Sequence, residues 1–283
     1  MGTANRTPPR FRGRLRRRSG HFALGAPVGV ALSIAMAHAA AADLPECAPD
    51  AVVAGTICLD KYEASVWRVP NPANANASVV AKILHGSANR GDLTAAGASS
   101  LGASGDDYAP CADDGQSGCG DIYAVSIPSV VPAAFATWFQ AQEACANSGK
   151  RLPTNAEWQS AASGTPDPGP DNGTTDCNTA SGALPRTGER ARCVSSRGAF
   201  DMVGGVAEWT AEWLPAETAC PGWASFSNDE MCLAGASATS PSPVSPTRGG
   251  AFASLGGTNA GPFAIHPFAP FHSASFIGFR CAR

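Results

Sequence analysis

The sequence predicts an exported α+β domain, loop-rich and stapled by disulfides. Three observations lead there. A basic head and an apolar run come before any cysteine, and all ten cysteines follow that run. Short stretches with strand or helix periodicity alternate with long polar segments, a pattern that suits one domain of mixed elements. The 31 Gly and 23 Pro add that turns are many and long regular elements few.

Residues 10–18 read RFRGRLRRR, and FALGAPVGVALSIAMAHAAAA and then Asp43 follow. This is the layout of a secretory signal, assigned to residues 1–42, with cleavage after Ala39 or Ala42. A membrane anchor is the rival reading, since the run is nearly long enough to span a bilayer. Its Gly, Pro and small-residue end favours cleavage, which leaves no span in the exported chain. Arg17-Arg18 hints at twin-arginine export, and no small-residue box precedes Cys47, which argues against a lipid anchor there. The remainder, residues 43–283, is long enough for one domain with a sizeable core. The formal charge of −3 includes the basic leader, so the exported part is more acidic still, and a nucleic-acid partner is not expected.

An even number of cysteines in an exported chain reads as a set of disulfides. No CxxC pair is present, so structural zinc fits poorly. Taken in order, TICLDKYEASVW at 56–67 alternates as a half-buried strand does. Residues 70–122 lose periodicity and read as loop, with Cys111 and Cys119 close enough to staple it. A helix follows, with Pro132 in its first turn, Phe135, Trp138, Phe139, Gln142 and Cys145 along one side, and Gly149 as its stop. Thr154 and Glu157 have the spacing of a capping box, so a second helix starts at Thr154. Residues 163–198 are polar and bridged by Cys177 and Cys193; AFDMVGGVAEWTAEW then sets Trp209 and Trp213 on one face, and Cys220 and Cys232 close the next loop. Between Arg248 and Arg280 there is no Asp, Glu, Lys or Arg. That stretch is too long and too often broken by Gly, Pro, Asn and Ser for a core strand, and it reads mostly as surface loop.

Four stretches stand in fixed order: LDKYEAS at 59–65, KRLPTNAEW at 150–158, GAFDMVGGVAEWTAEW at 198–213, and RGG at 248–250 closing with GFRCAR at 278–283. Together they resemble the formylglycine-generating enzyme (sulfatase-modifying factor) family, whose fold is a variant of the C-type lectin fold. The resemblance covers essentially all of the exported chain. It implies a Cys145–Cys281 disulfide, whereas pairing each cysteine with its sequence neighbour leaves those two without close partners. A loop of that length is worth roughly 4 to 5 kcal/mol in the chain-entropy model.

The resemblance implies two copper-binding cysteines shortly after RGG, where this chain has Ser254 and, approximately, Asn259. Cu(I) needs thiolates, which a hydroxyl and an amide do not replace, so neither copper nor formylglycine generation is expected. His266 and His272 lie six residues apart, but no carboxylate in the stretch completes an iron site; loop histidines are the simpler reading. At FDMVGGVAE the resemblance implies a structural calcium held by Asp201, Gly204, Val206 and Glu208, with Asn178 at a second site. On spacing alone, Asp201 and Glu208 would cap a turn or pair with Arg. Trp138, Trp158, Trp209 and Trp213 are assigned to the core, and Phe263 and Phe279 to sheet cover.

The expected function is therefore a non-catalytic ligand-binding domain with residues 248–279 as its face. The candidate contact residues are Phe252, Ser254, Leu255, Asn259, His266, Phe268, Phe271, His272 and Phe276. Aromatic side chains among adaptable Ser and Ala resemble a binding paratope, and the expected partner is a protein, peptide or glycan. The segment also resembles the variable region of diversity-generating retroelement target proteins: residues 249–279 contain no Lys, Glu, Gln, Trp or Met, the types that asparagine-codon variation never produces. The alternative is an enzyme of the same superfamily with a different oxidative or metal-dependent chemistry.

Overall fold

In the computed structural model, β1 (Ala51–Ala54) and β2 (Ile57–Asp60) form an antiparallel hairpin, with Gly55 at φ +66° in its turn. The structure describes residues 45–102, 104–105, 121–167, 169–215, 222–232 and 243–283. The leader and the expected Cys111–Cys119 staple lie outside them. The single strand expected over 56–67 is two, β2 and then β3 (Ser65–Arg68). The chain leaves the sheet between them because its donors find other partners: Tyr62 N donates to Ser126 Oγ at 3.0 Å and Ala64 N to Phe279 O at 2.9 Å.

The region expected to be loop holds two helices, α1 (Ala77–Leu84) and α2 (Arg90–Ala95). In α1, Val79 and Ile83 stand one turn apart and are buried; a capping box between Asn89 and Asp92 starts α2. Both pack on Trp67, Tyr123 and Val125, on one face of a sheet in which β4 (Ser99–Leu101) and β5 (Ile122–Val125) flank β3.

Helix α3 (Trp138–Asn147) starts later than expected. Its N-cap is Thr137, boxed with Gln140, while Phe135 sits outside at φ +56° and donates its N–H to Ala274 O at 3.0 Å. Gly149, at φ +66°, follows its end as expected. Helix α4 (Asn155–Ala162) begins at Thr154 with the Glu157 box in place.

The remaining strands are β6 (Ala207–Trp209), β7 (Leu214–Pro215), β8 (Pro243–Gly249), β9 (Gly261–Phe268) and β10 (Ile277–Gly278). The central strand β8 pairs with β6 and β7 and, antiparallel, with β9, while β10 runs parallel to β6. The terminal stretch is thus less of a loop than its composition suggests. Pro246 and Pro267 face each other across the β8–β9 ladder, so the residues without an N–H oppose one another rather than orphaning a neighbour.

The main core joins Val66, Ile122 and Leu152 to Trp209, Ile277 and Phe279, with Cys145 and Cys281 bonded inside it. Further disulfides link Cys47 to Cys58 and Cys177 to Cys193. Cys232 is also disulfide-bonded, but its expected partner Cys220 lies outside the described residues. Trp158 and Trp209 are fully buried; Trp213, expected in the core, is 46% exposed and meets Trp138 and Phe139 edge-on instead. Phe279 is core, whereas Phe263 is half-buried and packs edge-on against Phe226. Among the described residues, no helix is long and apolar enough to cross a membrane.

Candidate functional site

The RGG triplet explains how the loop after β8 is held. Arg248, 1% exposed, stacks over the Trp158 ring at 4.5 Å and donates to Ala264 O at 2.7 Å and Pro262 O at 3.2 Å on β9. Burial lowers its guanidinium to about 10. Gly249 and Gly250 both have positive φ. A Cβ on Gly250 would stand 2.3 Å from Asn259 O, and one on Gly249 would stand 2.7 Å from Met202 O, so only glycine lets the loop fold back on itself here.

Folding back encloses a cavity of about 290 Å³. Its floor is Ala207, Gly250 and Ala251, and its walls include Ser254, Asn259, His266, Phe268 and Phe276. Ser254 Oγ accepts from Ala251 N at 3.0 Å and lies 3.5 Å from Asn259 O. His266 Nε2 lies 3.1 Å from the same Asn259 carbonyl, and Asn259, with its amide turned to donate, reaches Glu230 at 2.7 Å. Burial holds the His266 imidazole below its usual range, against the pull of the Asn259 carbonyl. Phe268 meets Trp209 edge-on at 6.4 Å and stacks on His272 at 5.2 Å.

Five of the nine candidate contact residues therefore line one cavity. The other four do not. Phe252 is half-buried and donates its N–H to Gly205 O at 2.9 Å. Leu255 and Phe271 are 79% and 65% exposed, and His272 stacks on Phe268. The floor residues went unnoticed in the sequence because Ala and Gly carry no chemical signal; the paired glycines were the available clue. One cluster of metal-ligand types forms among the described residues, Glu230, Cys232 and His266, but the sulfur of Cys232 is in a disulfide and provides no thiolate. His272 is not part of it.

The FDMVGGVAE turn lies behind the cavity floor. Glu208, 1% exposed, accepts from Arg280 at 2.7 and 2.6 Å and from Trp158 Nε1 at 2.6 Å. Asp201 Oδ2 accepts from Gly188 N at 2.6 Å, and Val206 N donates to Glu63 Oε1 at 2.7 Å. Gly204 N is held by Gly249 O at 3.1 Å. Glu63 is completely buried, and its Oε2 has no hydrogen-bond partner. Burial, then the Asp201 and Glu208 charges, push the Glu63 carboxyl well above its ordinary value; burial raises Asp201 to about 7. Glu63, which the sequence did not single out, sits in LDKYEAS, the first of the four ordered motifs.

A family model of the sulfatase-modifying factor enzyme 1-like domain matches residues 106–283. Among solved structures, the chain is similar to the Major Tropism Determinant M1 variant, with 21% identity over 57% of this chain and 45% of that one, at a TM-score of 0.35. It is also similar to Treponema denticola variable protein 1, with 18% identity, coverage of 54% and 70%, and a TM-score of 0.35. A third is PvdO from Pseudomonas aeruginosa, with 17% identity, coverage of 80% of each chain and a TM-score of 0.37. The chain spans less than half the length of the tropism determinant. No curated protein matches its sequence.

Proposed function

Because the chain belongs to the sulfatase-modifying factor family, with its loop-rich, disulfide-stapled variant of the C-type lectin fold, we propose that it is an exported, non-catalytic ligand-binding member. Residues 248–279 form its face. The observation that carries this reading is the cavity itself: Ser254 and Asn259, standing where the family resemblance implies copper thiolates, line the same cavity. In place of two sulfurs it offers a hydroxyl and an amide beside aromatic walls, groups that orient a ligand but supply no soft-metal site. Leu255 and Phe271 add exposed apolar side chains to the same segment. The ligand is a peptide, a protein loop or a glycan that places a small group against Ser254 and an apolar one against Phe268. The disulfides favour an oxidising compartment, hence secretion or the periplasm.

The experiment is to pan the purified protein against a displayed random-peptide library and a glycan array, then repeat with Ser254→Trp, which fills the cavity. Capture by the native protein and its loss in the variant, at an unchanged melting temperature, is the expected result. Capture that survives the substitution overturns the assignment. Incubation with copper and a sulfatase-type cysteine peptide should give no aldehyde; catalytic formylglycine would restore the enzyme reading. Diversification of the segment has its own test, a near-copy of the last coding stretch differing at adenines beside a reverse transcriptase gene.

A structural calcium at Asp201, Gly204, Val206 and Glu208 belongs to the same proposal. Glu63, Asp201 and Glu208 lie in one buried space with the Arg280 guanidinium, and Arg190 also acts on Asp201; three carboxyls against two guanidiniums, with Glu63 Oε2 orphaned, suit a hard divalent cation. Glu208 would share its carboxylate between the ion and Arg280. Bound there, calcium would fix the turn under the cavity floor.

A further inference from the structure

The long loop between α4 and β6 encloses a second cavity of about 410 Å³, whose lining includes Thr174, Asn178, Ser181, Glu189 and Arg190. Arg190 is 6% exposed, and its Nη1 is buried without a hydrogen-bond partner. A guanidinium stays charged at any physiological pH, and buried charges are as a rule paired. Asp171 and Asp201 are near enough to feel its charge, but neither forms an ion pair with it, and the hydrogen bonds to them and to Glu189 come from backbone N–H groups. Asp171 accepts from Gly173 N at 2.7 Å, Thr179 N at 3.1 Å and Ala180 N at 2.7 Å. Asp201 takes Gly188 N at 2.6 Å, and Glu189 takes Arg186 N at 2.9 Å. Arg190 thus lacks an ion-pair partner among the described residues.

We propose that this cavity binds a small acidic ligand whose oxyanion group pairs with Arg190. A guanidinium presents a planar fork that matches the two oxygens of a carboxylate, sulfate or phosphate. The Thr174 hydroxyl, which donates to Asn172 Oδ1 at 3.3 Å, and the Ser181 hydroxyl, which donates to Ala183 O at 2.8 Å, each keep a lone pair to accept from the rest of the molecule. The volume falls within the range of small-ligand pockets. Glu189, on the same lining, disfavours ligands with a second negative charge on its side. The site shares no lining residue with the cavity beneath the β8–β9 loop, although Gly182 N donates to Phe252 O at 3.4 Å, so the two loops touch.

The test titrates glucuronate, glucose, sulfate and phosphate into the purified disulfide-bonded protein at constant ionic strength, followed by calorimetry and melting temperature. A saturable response to at least one acid and none to glucose is expected; the three anions distinguish a carboxylate source from an inorganic one. Arg190→Met should abolish the response and raise the melting temperature of the unliganded protein, because an unpaired buried charge is removed. Arg190→Lys should weaken affinity at least tenfold, and Thr174→Ala with Ser181→Ala several-fold. Absence of saturation by every acid overturns the site. So does an unchanged response in Arg190→Met, or a lower melting temperature in that variant, which would mean that the guanidinium holds the loop. If Arg190→Met does not fold, unchanged affinity in both Arg190→Lys and the Thr174/Ser181 variant overturns the site equally.

Discussion

Cys145, within α3, is bonded to Cys281, 136 positions away in the chain, with their Cα atoms 5.8 Å apart. The bond lies in the main core, beside Leu152 and Phe279. It fastens the helix that precedes the KRLPTNAEW motif to the segment that follows β10. Cys145→Ala is therefore expected to cost roughly 2 to 5 kcal/mol in denaturant unfolding, and Cys145→Ala with Cys281→Ala a similar amount. Non-reducing peptide mapping should return the two segments joined. Recovery of both cysteines as free thiols would remove this staple from the fold.

Calcium should raise the melting temperature of chelator-treated protein, because an ion that binds only the folded state stabilises it by mass action. Glu208→Ala is a poor control, since it strands the fully buried Arg280 and would destabilise by about 3 to 5 kcal/mol with or without the ion. Glu63→Gln is cleaner. It removes surplus charge while keeping an acceptor for Val206 N, and it should abolish the calcium response and raise stability without calcium. A melting curve indifferent to millimolar calcium leaves the cluster as a turn neutralised by its own protons.

Acid stability should depend on Glu157. Its hydrogen bonds from Arg151, then those of the Thr154 cap, lower the carboxyl to about 2, below its ordinary 4.5. A depressed acid contributes stability above the unfolded value and loses it as pH falls, here between about 4.5 and 2. The pair is partly exposed, Arg151 by 43% and Glu157 by 21%, so Glu157→Gln should cost only about 0.5 to 1 kcal/mol at pH 7. The difference from the native protein should vanish near pH 2. A gap that persists at that pH would assign the loss to the cap rather than to the charge.

The terminal aromatics should not behave alike. Phe271 is 65% exposed, and Phe271→Ser should shift stability by no more than about 0.5 kcal/mol while weakening ligand capture. Phe268 and Phe276 are half-buried and pack on the main core. Phe268→Ser should cost about 2 kcal/mol, part of the full cost of emptying a buried phenyl position, as well as capture. Equal melting temperatures for the two variants would contradict this division.

The features legible in sequence were those carried by local chemistry. Thr154 and Glu157 announced α4, Gly149 marked the end of α3, and Cys177 and Cys193 lay close enough to pair. The Thr137–Gln140 box was equally readable, yet Pro132 drew the start of α3 too early. Helix α1 escaped notice because NPANANAS reads as turn, and only two buried side chains, Val79 and Ile83, hold it down. In the site, the side chains with polar or aromatic chemistry were found. The Ala and Gly floor, the orphaned Glu63 oxygen and the unpaired Arg190 depend on contacts between distant segments, which spacing does not reveal.

Residues 277–283 close the molecule. Phe279 O and Cys281 O accept from Ala64 and Asp60, Arg283 exchanges hydrogen bonds with Cys58, and Ala282 does so with Arg151. Arg280 neutralises Glu208, and Cys281 N caps Asp60 at 3.0 Å. Ribosomes deliver these residues after every partner they bind. Until residues 277–283 are in place, Glu208 lacks its guanidinium, Asp60 one of its donors and Cys145 its mate, so the preceding residues cannot set this core by themselves. Oxidation of Cys145 against Cys281 is then the event that ties the two ends of the fold into one closed circuit.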